Sequence, residues 1–227
     1  YFSWSNMDEI HGDFQKKAPT FLKANLNLVS PSVAINQITQ SHPIDSIHSI
    51  QLVEVLGQAM YRLKYFSSKN GTKEVITQLA NAQNGQLRGP LQKEEAIALA
   101  KSRFVDDSDI SNIEYLEQTG NHHEYRSGPL PAWVISFDHP SKANVYISAN
   151  EGRVVTVRNQ KWRIFDYLWM LHTMDYQGRD NFGNLLLRMF SIFGLLTISS
   201  GFVLYFISSP TFRKKRKPRT VVVKAKA

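Results

Sequence analysis

Apolar and polar positions along this chain follow three rhythms, and the longest apolar run organises the rest. Between Arg188 and Arg213 lie 24 residues without a charge, Met189–Phe212. A helix rises 1.5 Å per residue, so about 20 apolar residues cross a hydrocarbon core. A helix also satisfies its own backbone groups there. The run therefore predicts a transmembrane helix, placed over 184–212. Just before it, NQKWRIFDYLWMLHTMDYQ sets Trp162, Phe165, Leu168, Trp169, His172 and Tyr176 at steps of three and four, with Lys161, Arg163, Asp166 and Asp175 largely elsewhere on the wheel. Two Trp and two Tyr beside a span suit the membrane–water boundary, which reads as an amphipathic interfacial helix over 159–183. The alternative is that this helix packs on the soluble domain as core. Both place His172 close to the outer membrane surface.

Upstream the rhythm changes to helix followed by short alternating runs, and it does so twice. Ser30-Pro31-Ser32 opens a helix through about Gln40, ended by His42-Pro43. Strand-like runs come next: IHSIQLVEV, AMYRLKYFS, a turn at Asn70-Gly71, KEVITQLANA, and a turn at Asn84-Gly85. A second helix runs from about Gln92 to Phe104, with Ala96, Ile97, Ala100 and Phe104 on one side. Strands at ISNIEYLEQ, AWVISFD, NVYISA and RVVTVRN come after it, the last two joined at Glu151-Gly152. LANAQNGQL (79–87) aligns with YISANEGRV (146–154), putting Gly85 and Gly152 where a hairpin turn needs positive φ. The expected fold class is α+β: two helix-plus-antiparallel-meander units, 30–88 and 89–158, then the interfacial and transmembrane helices. Each unit is small enough that the two should pack together. Residues 1–29 show no sustained periodicity and read as a membrane-proximal segment and linker.

The net charge of +8 changes the picture only through its placement. Residues 213–227 hold eight Lys or Arg and no acid, which leaves nineteen basic against nineteen acidic residues in 1–212. A nucleic-acid binder carries its basic surface on the folded body, so that class is set aside. The basic tail 213–227 instead marks the cytoplasmic side of a span, with the bulk of the chain outside, and suits contact with anionic membrane lipid. The absence of cysteine excludes disulfides, thiolate metal sites and cysteine nucleophiles. The chain opens on Tyr1, and Tyr1, Phe2 and Trp4 read as the aromatic belt of a first span that precedes them; signal-peptide cleavage would also leave a start other than Met. In the apolar run, Gly194, Thr197 and Gly201 form a small-residue face suited to packing on another helix.

These features together resemble membrane proteins carrying PepSY domains. The unit ending Asn150-Glu151-Gly152-Arg153-Val154 is similar to that domain. More specific is the stretch Arg163, Asp166, Leu168, Trp169, Leu171, His172, Met174, Asp175, Tyr176, Arg179, Asn181 and Phe182, which resembles the segment before the last span in small two-helix members. Asp8-Glu9-Ile10-His11-Gly12 resembles the segment after their first span, while that span itself and its basic, His-containing start have no counterpart in this sequence. The resemblance implies a tandem extracytoplasmic module at an inner membrane, facing the periplasm. It also implies an accessory role in iron handling, ferric reduction or flavin- or haem-linked electron transfer. Soluble relatives are linked instead to peptidase propeptides and inhibition, which keeps a peptidase-binding module or a structural subunit of a membrane complex as alternatives. A further membrane or extracytoplasmic protein is the expected partner.

Candidate chemistry is sparse. His11 and His172 each belong beside a span, flanked by Asp8, Glu9 and Asp13 or by Asp166 and Asp175. Such a histidine can ligate a metal or haem iron, because a carboxylate on its second nitrogen fixes the tautomer and raises basicity. The competing reading is that both tie the membrane-proximal segments to the domain. Residues 189–212 contain no His and a single sulfur ligand, Met189, so a haem or flavin would come through a partner or a further helix. His42, His48 and His139 read as surface residues, and His122-His123 as a weak metal candidate. No G-x-S-x-G, H-E-x-x-H, P-loop or dinucleotide fingerprint is present, which points away from catalysis by this chain. Glu94-Glu95 suits the positive end of a helix dipole.

Overall fold

The computed structural model describes residues 6–41, 43–69 and 72–209. They form two compact units, Tyr1–Trp169 and Met170–Ala227. The aromatic start at Tyr1, Phe2 and Trp4, His42, the Asn70-Gly71 turn, the last residues of the predicted span (210–212) and the basic tail 213–227 lie outside the described residues.

The first unit is a mixed α+β body with two antiparallel sheets. A short helix α1 (Met7–Ile10) and a 3-10 turn (Asp13–Gln15) precede α2 (Pro31–Ser41), which starts on a proline whose missing N–H costs nothing there. Strands β1 (Ser46–Val55), β2 (Gln58–Lys69), β3 (Thr72–Asn81) and β4 (Leu87–Arg88) pair in sequence order. The β1–β2 turn needs positive φ at both corners, and Leu56 (φ 51) and Gly57 (φ 80) supply it. Helix α3 (Lys93–Arg103) begins with a capping box between Gln92 and Glu95, and Arg88 also pairs with Glu95. Strands β5 (Ile110–Leu116), β6 (Ala132–Phe137), β7 (Asn144–Ser148) and β8 (Arg153–Arg158) again pair in sequence order.

Strand alternation explains how the layers assemble. Ala59, Tyr61, Leu63 and Tyr65 of β2 pack with Ala34 and Ile38 of α2. The residues between them, Met60, Arg62 and Lys64, face the other way. Met60 joins Val55 and Leu79 in a cluster shared with Ala96, Leu99, Ala100 and Phe104 of α3 and with Ile135, Phe137, Val145, Ile147 and Val157 of the second sheet. Phe104 stacks on Phe137 with ring centroids 4.3 Å apart. The far face of the second sheet is covered by the β5–β6 connection, whose Tyr125 packs on Ala132, Val134 and Tyr146. The N-terminal stretch, expected to be a linker, is also part of the body: Ile10, between Glu9 and His11, is fully buried.

Helix α4 (Gln160–Thr173) corrects the expected extent of the interfacial helix. It stops at Thr173 because Met174 takes a left-handed φ of 52° and Asp175 then collects the next backbone N–H groups, so Tyr176 lies beyond it. Of the predicted stripe, Trp162 is buried, Phe165, Leu168 and Trp169 are half-buried, and His172 and Tyr176 are exposed, while Asp166, read as off the stripe, is buried.

In the second unit, Asn184 caps α5 (Leu185–Ser208), its Oδ1 accepting the Leu187 N–H at 2.8 Å. Among the described residues α5 is the one helix long and apolar enough to cross a membrane. Its 24 residues span about 36 Å at 1.5 Å each, and none is buried. Ser191, Thr197 and Ser199 donate to the carbonyls of Leu187, Phe193 and Leu195, so each hydroxyl has a partner without water.

Candidate functional site

The two candidate histidines fall in different units, and each has its own surroundings. His11 ends α1 and is exposed. Two of the three carboxylates beside it are engaged by lysines: Glu9 pairs with Lys161, and Asp13 with Lys16 at 2.8 Å. The Glu9 carbonyl accepts the Asn159 side-chain N–H at 2.9 Å, which fastens the N-terminal segment to the start of α4. His172 lies in the last turn of α4 and is exposed.

Neither carboxylate expected to flank His172 is idle. Asp166 pairs with Arg126 at 3.2 Å. Asp175 accepts backbone N–H groups from Asn181 at 2.9 Å, Gly178 at 3.2 Å and Gln177 at 3.3 Å. Those donors, Asn181 and Gly178 foremost, hold its carboxyl below the usual range. Asn184 donates to the Thr173 carbonyl at 2.8 Å and closes a hydrogen-bonded knot directly before α5. Among the described residues no group of three or more His, Asp or Glu is arranged to hold a metal ion.

Charge in the first unit concentrates instead at two carboxylates that the sequence does not announce. Glu124, in the β5–β6 connection, accepts from Asn144 at 2.7 Å, from the Tyr146 hydroxyl, and from Arg163 Nε and Nη2 at 2.8 and 3.1 Å. Burial opposes its ionisation, but Arg163 and Tyr146 outweigh that and hold it below the usual carboxylate range. Burial, then the bond to Glu124, pushes the Tyr146 phenol up, so it stays a neutral donor. Arg163 Nη1 also donates to the Lys142 carbonyl at 2.8 Å, and Arg158 lies 4.1 Å over the Trp162 ring. The second hub is Glu151. Its side chain is 4% exposed, pairs with Lys64 at 2.6 Å and with Arg153, and its carbonyl accepts Arg62 Nε at 2.9 Å. It therefore bridges the turn of the second sheet to β2 of the first. The sequence carries one signal for it, its place beside Gly152 where the first repeat has Asn84.

Saturated in this way, Glu124 and Glu151 serve as fasteners; a general acid or base needs a free site for a proton. Three further histidines each have a neighbour of their own. His139 pairs with Asp106 at 2.9 Å and stands edge-on to Phe104, and His123 accepts the Tyr125 N–H at 3.1 Å. His48 stands edge-on to Phe66. Comparisons of the chain with known protein families, with curated proteins and with solved structures find no match.

Proposed function

We propose that the protein is a membrane-anchored extracytoplasmic binding module, built like tandem PepSY units, that serves as an accessory component of a membrane redox or iron-handling system. The observation that carries this reading is the pairing of a folded α+β body with α5, a 24-residue apolar helix none of whose residues is buried. Such a helix in water would be strongly disfavoured, and lipid is the solvent that suits it. The twice-repeated order of helix then four-stranded meander supports the PepSY comparison. The internally satisfied carboxylates support a binding role over catalysis by this chain. Haem or flavin would arrive through a partner or a further helix, with His11 and His172 as the ligands offered.

Orientation is tested by single cysteines, since the chain has none of its own. In sealed right-side-out vesicles a membrane-impermeant maleimide should label Tyr176→Cys at once and Ala227→Cys only after lysis. The reverse result overturns the orientation. For the redox half, the full-length protein extracted with its partners in mild detergent should show a Soret or flavin band that responds to dithionite. His11→Ala or His172→Ala should remove that band. A featureless spectrum at full occupancy overturns the cofactor-bearing version. It would favour the peptidase-binding alternative, for which the ten-residue edge strand β1, with Ile47, Ile50 and Leu52 exposed, offers a surface to an extended segment.

A further inference from the structure

Residues 16–29 cross the first unit as a strap fixed at both ends. At one end Lys16 bridges to Phe104, the Lys17 N–H donates to the Arg103 carbonyl at 2.7 Å, and Arg103 Nη1 donates to the Ala18 carbonyl at 3.0 Å. At the other, the Val29 N–H donates to the Ala82 carbonyl at 2.9 Å and the Val29 carbonyl accepts the Tyr61 hydroxyl at 2.6 Å. Between these ends the strap touches the body at Thr20, whose hydroxyl donates to the Glu54 carboxylate. Leu22 and Leu26 are partly buried, while Phe21 stands 88% exposed.

Two cavities open along this strap, and they meet at the Glu54–Arg103 ion pair, which lines both. The first, about 270 Å³, is bordered by Lys16, Lys17 and Arg153. The second, about 640 Å³, is bordered mainly by the apolar Phe21, Leu22, Leu26 and Leu56, together with Thr20, Lys23 and Ser102. Together they have the size and mixed lining of a small-molecule site. The charge around the first is unbalanced. Lys16 pairs with Asp13, Arg103 with Glu54, and Arg153 shares Glu151 with Lys64, while the Lys17 side chain makes no ion pair among the described residues. Five cations thus share three carboxylates. An apolar chamber beside a cationic one, both under one strap, selects a ligand with the same two parts.

We propose that this cleft binds a small amphiphile with a single carboxylate or phosphate head. The head sits among Lys16, Lys17 and Arg153, and the apolar part lies along Leu22, Leu26 and Leu56 beneath Phe21. The site lies within the first unit and does not depend on the redox reading above.

The test uses the full-length chain in phosphatidylcholine nanodiscs with two photoreactive probes, a diazirine fatty acid and an anionic phospholipid with the same diazirine acyl chain. Crosslinks are mapped by peptide mass spectrometry. The expected result is labelling of peptides spanning 20–26 and 54–57, competed by dodecanoate and not by the neutral detergent dodecyl maltoside. Labelling by the fatty acid identifies a free amphiphile as the ligand, and labelling by the phospholipid alone identifies a membrane lipid. Lys17→Glu, which breaks no contact that the fold uses, should lower strap labelling about tenfold through charge reversal at the head. Labelling of α5, which any membrane probe reaches, should stay unchanged in that variant. Labelling confined to α5, strap labelling indifferent to Lys17→Glu, or equal competition by dodecyl maltoside would each overturn the proposal.

Discussion

Glu151→Ala is expected to lower the unfolding free energy by about 3 kcal/mol, because removing one partner of a buried pair leaves the other charge uncompensated. Here the stranded cations are Lys64 and Arg153, with side chains 29% and 44% exposed, which keeps the loss at the low end for a buried site. By contrast the Lys161–Glu9 pair, about half exposed on both sides, contributes at most about 1 kcal/mol. A urea titration of the two variants, Glu151→Ala and Lys161→Ala, separates these cases. The pH dependence has a definite sign. Burial works against the ionised Glu151 carboxylate, but Lys64 and Arg153 hold it below the ordinary range. Its contribution is therefore complete above the unfolded value of about 4.3 and is lost as pH falls through the lower folded value. Glu151→Gln should flatten that acid limb, and an unchanged acid limb would count against the clamp.

Gly152→Val should cost about 3 kcal/mol for a different reason. The residue adopts φ +63, and a left-handed conformation with a branched side chain costs about 1–2 kcal/mol before any contact is made. A Cβ there would also lie 2.9 Å from Leu79 Cδ1 and 3.1 Å from Val55 Cγ2, both fully buried, so overpacking adds about 1–3 kcal/mol. Gly57 is the internal control. Its φ is +80, but a Cβ would meet nothing within 4 Å, so Gly57→Val carries the backbone strain alone. Thermal melts followed by near-ultraviolet circular dichroism should rank Gly152→Val well below Gly57→Val. Equal midpoints would mean that the two sheets do not close on this turn.

Glu151 and Gly152, neighbours in the chain, also show what a sequence can and cannot disclose. Gly152 is legible because a hairpin turn between alternating runs demands positive φ, which is a local requirement. Strands β1–β3 and β5–β8 and helices α2 and α3 are legible for the same reason, since each arises from a pattern within its own residues; β4, two residues long, is too short to show one. Glu151 is not, because its partners Arg62 and Lys64 lie 89 and 87 residues away. Glu124 is hidden likewise: it sits in a loop that reads as polar, 39 residues before Arg163. The helical wheel of 162–176 misleads in an instructive way. It sorts side chains by polarity and sets Asp166 apart from the apolar stripe, whereas the body buries Asp166 against Arg126. A charge with a partner can go inside, and a wheel does not see partners.

The strictly sequential order of strands in both sheets has a kinetic meaning. Each strand pairs with the one made just before it, so contacts are local and the loop-closure cost of pairing is small. A chain of this kind can fold as it emerges N-terminus first, the α2 sheet assembling before α3 is available. In that interval the strand face bearing Met60, Arg62 and Lys64 stands open, its charges interleaved with the apolar Val55 and Leu79. The charges on that face find their partner only when Glu151, 87 residues after Lys64, arrives. Substitutions there should hasten unfolding far more than they slow folding.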